Sequence, residues 1–119
     1  MDGQTNAASQ PAQISAIEQD LLKEQVLDVL RSCYDPEIPV DIFELGLIYD
    51  VNVDVVGHVV VTMTLTSPHC PAAQSLPREI DAKIRTLSAV KGVTVRVVWE
   101  PTWNPSMMTE AARLTLGLQ

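Results

Sequence analysis

Positive charge is scarce in this sequence. Eight Lys and Arg stand against fifteen Asp and Glu, a net charge of −7. A nucleic-acid backbone or an anionic membrane surface selects for a basic face, so neither is an expected partner. Aromatic residues make up only 4% of the chain, which leaves Val, Ile and Leu to build the core. No apolar run approaches the ~20 residues that span a bilayer. The first residues carry neither the positive segment nor the apolar segment of a secretory signal, and the expected location is cytoplasmic. Two cysteines, Cys33 and Cys70, do not make a disulfide framework and are expected as thiols. Also missing are C-x-x-C, H-E-x-x-H, the G-x-x-x-x-G-K-[ST] phosphate loop and the G-x-G-x-x-G dinucleotide loop.

What is present suits one domain. The 119 residues are 46% apolar, enough for a core but not for two. Residues 1–14 are polar and aperiodic and read as a disordered tail, leaving 15–119 as a single domain. Ser15 and Glu18 form a Ser-x-x-Glu capping box, after which Leu22, Val26, Val29, Leu30 and Cys33 recur at helical spacing. Asp35-Pro36 is expected to stop that helix. A stiff connector follows, in which Asp41-x-x-Glu44 resembles a second capping box closed by Gly46.

Two alternating stretches come next. Leu47, Tyr49, Val51, Val53 and Val55 face one way in the first. Val59, Val61, Met63 and Leu65 do so in the second, with Gly57 turning the hairpin. Thr62, Thr64 and Thr66 are then the solvated side. Ala73, Leu76, Ile80, Ile84 and Leu87 trace a second helix, in which Pro77 either lies in the first turn or interrupts a helix begun near Pro71. A third strand runs through Val93, Val95, Val97 and Trp99. Asn104 and Pro105 open a last helix with Met107, Ala111, Leu114 and Leu118 on its buried face. The order helix–hairpin–helix–strand–helix predicts an α+β, two-layer α/β sandwich, a small mixed sheet with helices on one face. Which hairpin strand the third strand joins stays open.

The chemistry concentrates in Thr66-Ser67-Pro68-His69-Cys70-Pro71-Ala72, where a strand ends and a helix begins. A cysteine before a helix N-terminus has free N–H groups and the positive dipole end beside it, which favours thiolate. Thiolate binds metal or attacks an electrophile. His69 is a second candidate ligand or a base. Asp35 and Glu37, on a proline-stiffened turn, are candidate carboxylate ligands, with turn chemistry as the simpler reading of Asp35. Cys33 falls on the buried stripe and reads as core. Trp99 and Trp103 either close the core or form a partner patch. A self-sufficient zinc or iron–sulfur site needs about four ligands, more than one chain offers here. Any cluster is therefore shared between chains or held in transit.

Taken together, Cys33-Tyr34-Asp35-Pro36-Glu37-Ile38-Pro39-Val40, Leu45-Gly46-Leu47-Ile48-Tyr49, Met63-Thr64-Leu65-Thr66-Ser67-Pro68-His69-Cys70-Pro71 and Val98-Trp99-Glu100-Pro101-Thr102-Trp103-Asn104-Pro105, with Met108-Thr109-Glu110-Ala111-Ala112-Arg113, resemble the PaaD-like (MIP18-like) iron–sulfur cluster assembly domain family. The resemblance covers roughly residues 18–118. It implies a small α/β domain and an accessory role in maturing iron–sulfur proteins beside SUF-type assembly machinery and apo-clients. It also implies that the thiol at Cys70 handles iron or a transient cluster, with Asp35 and Glu37 near the same site. His69 departs from the family, whose members often carry a small residue there.

The expected function is thus a non-enzymatic factor in cluster assembly or transfer, in which Cys70 ligates a transient iron–sulfur cluster or iron, bridged across a homodimer or to a client. One rival is an interaction adaptor in which Cys70 is structural. The other is a thiol enzyme with Cys70 as nucleophile and His69 or Glu37 as base, for which no orienting third group is visible.

Overall fold

The structure, a computed structural model, describes residues 13–34, 38–66 and 72–117, with backbone alone for 72–74. Helix α1 spans Ala16–Leu30, strands β1 and β2 span Ile48–Val53 and His58–Met63, helix α2 spans Ala72–Arg85, β3 spans Gly92–Val97, and a short α3 spans Glu110–Thr115. The sheet order is β1-β2-β3, with β1 antiparallel to β2 and β3 parallel to it. Strand β3 therefore joins the second hairpin strand. The β2–α2–β3 crossover accounts for this, since parallel neighbours need a connection long enough to return to the starting end. Helix α1 packs on β1 and α2 on β3, which gives the two-layer α+β sandwich with a mixed sheet.

The Ser15–Glu18 capping box is complete, each side chain accepting the other residue's N–H. Leu22, Val26 and Leu30 of α1 are buried against Val51, Val53, Val59, Val61 and Met63 of the sheet and Leu76, Ile80 and Ile84 of α2. Side chains alternating in the strands and recurring every three or four residues in the helices make one continuous apolar layer.

Several expectations need correcting. Helix α1 stops at Leu30, not at Asp35. Its last turn tightens as Ser32 and Cys33 N–H bond to Val29 and Leu30 carbonyls, and Ser32 Oγ also takes the Val29 carbonyl. Of the two readings of Pro77, the second holds: helix α2 begins at Ala72, so Pro77 sits inside it and costs one rung of the backbone ladder. Tyr49 does not face the core with Val51 and Val53. A bulge between Ile48 and Asp50 makes Ile48 the partner of Met63 and inserts Tyr49 as the extra residue. The C-terminal stripe is one residue out of step. Asn104 caps only a 3₁₀ turn, Pro105–Met107, and Met108 is extended before Thr109 caps α3 anew. Met108 and Ala112 are buried, whereas Leu114 is exposed. Leu118 lies outside the described residues.

Candidate functional site

Because β2 and β3 run parallel, their carboxyl ends share one edge of the molecule with the start of antiparallel β1. Three segments converge there. Thr64 N–H donates to the Leu47 carbonyl (2.8 Å), and Val98 N–H donates to the Met63 carbonyl (2.8 Å). The chain after β3 then turns back across this end, held by the Tyr49 hydroxyl on the Pro101 carbonyl (2.6 Å) and the Trp103 indole N–H on the Leu45 carbonyl (2.8 Å). In open α/β sheets, ligand chemistry gathers outside the carboxyl ends of parallel strands.

Two elements deliver the sequence-predicted motif to that end. From the end of β2 the chain runs through buried Leu65 to Thr66, and α2 starts at Ala72. The intervening residues 67–71, with His69 and Cys70, lie outside the described residues. Helix α2 has no acidic residue in its first turn, so no carboxylate of its own neutralises the dipole there.

Asp35 and Glu37 likewise lie outside the described residues, but the structure fixes what brackets them. Tyr34 pairs with Asp41 in an isolated antiparallel bridge, and Ile42 N–H donates to the Cys33 carbonyl (2.9 Å). The connector then turns on Asp41, whose Oδ2 accepts from the N–H of Phe43 and of Glu44, both at 3.0 Å. Only half of the expected capping box forms. Glu44 reaches away to accept the Thr109 hydroxyl (2.5 Å), tying the connector to the N-terminus of α3. Tyr34, Asp41, Glu44, Ala111, Ala112 and Thr115 line a cleft of about 240 Å³ beside this segment.

Cys33 is fully buried, as its place in the stripe predicts. Burial pushes its thiol up, outweighing the opposing pull of the Lys83 ammonium, so it stays protonated and makes a poor metal ligand. Among the described residues, no three His, Cys, Asp or Glu side chains gather closely enough to hold a metal ion. No helix among them is long and apolar enough to cross a membrane.

The two tryptophans differ in burial. Trp103 packs on the core, while Trp99 is 41% exposed. Sequence reasoning missed Tyr49 and Met107, which with Gly46, Ile48 and Pro101 line a groove of about 530 Å³ at this end of the sheet. Strict alternation hid Tyr49, because a bulge leaves no trace in apolar periodicity. Thr64, expected on the solvated face, is fully buried where the returning segment crosses.

Comparison with known proteins agrees with this architecture. A family model described as "Iron-sulfur cluster assembly protein" matches residues 23–97. The chain is 48% identical over 95 residues to an "Fe-S protein maturation auxiliary factor" of Porphyromonas gingivalis, covering 80% of this chain and 90% of that one. It is 38% identical over 84 residues to the "Fe-S protein maturation auxiliary factor SufT" of Staphylococcus aureus, covering 71% and 96%. The crystal structure of a DUF59 domain from Bacillus anthracis superposes with a TM-score of 0.81 at 35% identity, covering 88% of this chain and all of that one.

Proposed function

This chain belongs to the iron–sulfur cluster assembly protein family, and from that premise we propose that it is an accessory factor in assembling iron–sulfur clusters or passing them to apo-proteins. The observation that carries the reading is the start of α2 at Ala72, two residues after Cys70, at the carboxyl end of the parallel β2–β3 pair. A thiol at that place in the chain precedes the positive end of a helix whose own first turn carries no acidic residue, which favours thiolate and lowers the proton cost of binding iron. The cluster is cargo. Cys70 is its ligand in transit, with the remaining positions filled by a client, a second copy or the Asp35, Glu37 and His69 side chains. The factor is not an enzyme. It works in the cytoplasm with SUF-type machinery, and residues 15–119 form its one domain.

The test is anaerobic reconstitution with iron and sulfide, followed by charge-transfer absorbance and transfer to an apo-ferredoxin. Cys70→Ser is expected to lose most of both signals with an unchanged urea midpoint. Equal cluster yield from the variant removes Cys70 from the mechanism. The adaptor reading has one observation in its favour, the groove of Tyr49, Pro101 and Met107 at the same end as exposed Trp99. Binding of assembly machinery that survives Cys70→Ser but not Trp99→Ala would select it.

A further inference from the structure

The two outer edges of the sheet are treated differently. Beside β1, the outward-facing carbonyl of Val53 and that of Val55 in the hairpin turn are taken by the Gln19 side-chain amide (3.0 Å) and the Ile14 N–H (2.7 Å), so α1 and its lead-in tie down the hairpin end of that edge. On β3, the Val98 N–H points inward to Met63, and residues 94 and 96 share its parity in a parallel ladder. Val93, Val95 and Val97 consequently turn both backbone groups outward. The Arg85 guanidinium, ion-paired to Asp81, reaches the Val93 carbonyl at 3.3 Å. The N–H and C=O groups of Val95 and Val97 have no partner among the described residues. A strand edge left unpaired is a template for another strand.

We infer that β3 pairs with β3 of a second copy, antiparallel about Val95, to make one continuous six-stranded sheet. The edge is self-complementary. Val95 faces Val95 of the copy, Val93 faces Val97, and Thr94 faces Arg96, so the one charged side chain of the strand never opposes itself. Val95 and Val97, each half-buried in the single chain, extend the valine row of the inner face into that of the copy. The Val93 carbonyl has two lone pairs and accepts both Arg85 and the copy's Val97 N–H. A foreign extended segment would satisfy the same backbone groups but would not draw on this two-fold match of side chains. The pairing is independent of the role proposed for Cys70.

Amide exchange on the wild-type protein at physiological salt, where repulsion between two copies of charge −7 is screened beyond ~8 Å, tests this without a mutation. Thr94 and Arg96 amides are protected at every concentration. Those of Val95 and Val97 are expected to slow at least ~10-fold between ~10 μM and ~1 mM, as the sedimentation mass doubles. Val95→Pro removes only an outward N–H, which an edge strand tolerates, and should give a folded monomer. In a Cys70→Ser background, Val95→Cys should oxidise to an interchain disulfide, since hydrogen-bonded antiparallel partners stand ~5.5 Å apart at Cα, and Thr94→Cys should not. A monomer up to ~1 mM overturns the inference. So does a dimer whose Val95 and Val97 amides exchange as fast as those of the dilute protein. Slowing of those amides only on addition of an extended client peptide also overturns it, and gives the edge to that peptide.

Discussion

The indole N–H of Trp103 donates to the carbonyl of Leu45 at 2.8 Å, joining a residue beyond the last strand to the connector before the first. This bond and the Glu44–Thr109 contact hold the C-terminal segment over the end of the sheet where the Cys70 segment leaves it. Trp103→Phe keeps an aromatic ring but leaves the buried Leu45's carbonyl without this donor. Unfolding stability is expected to fall by about 1–2 kcal/mol, measured by urea titration, with a similar m-value. A midpoint equal to wild type would show the bond to be idle.

Gly46 has φ of 81°, and a Cβ there would run into the Met107 carbonyl oxygen. Strain and collision act together in Gly46→Ala. The expected cost is about 2–3 kcal/mol, with displacement of the Met107 segment visible as changed chemical shifts around the Tyr49 groove. A neutral substitution would mean that this segment is not packed on Gly46.

Thr64 Oγ1 is buried and makes no hydrogen bond among the described residues. Thr64→Val has the same shape and no orphan. Thermal unfolding is expected to rise, by the equivalent of about 1 kcal/mol. A drop of that size would show instead that the hydroxyl has a partner, and that the buried end of β2 is a polar network.

Asp54 closes the hairpin turn, its carboxylate accepting the N–H groups of His58 and Val56 at 2.9 Å. The bond to His58 leads in holding its pKa below the ordinary 3.8. A carboxyl lowered on folding contributes stability that is present above its unfolded value and fades as pH drops through the folded one. Asp54→Asn should therefore flatten the stability–pH curve below about pH 4 and leave its slope near neutrality unchanged. Identical acid slopes in the two proteins would count against it.

Much of this was legible in the residues. The Ser15 box, the Leu22–Val26–Leu30 stripe, the Gly57 turn, the two alternating strands and the buried Cys33 all follow from local rules. Each depends on neighbours within a few positions, where side-chain period and capping chemistry decide the outcome. The family motifs belong to this class as well, because they are runs of adjacent residues.

What escaped was decided over distance. The side on which β3 joins the sheet, the bulge that turns Tyr49 out, the burial of Thr64, the reach of Glu44 to Thr109 and the different burial of Trp99 and Trp103 each depend on distant segments meeting, from 15 residues apart for Ile48 and Met63 to 65 for Glu44 and Thr109. Alternation and helical period describe a strand or helix against an unspecified neighbour. Only the folded chain supplies the neighbour, and with it the difference between the two edges of the sheet.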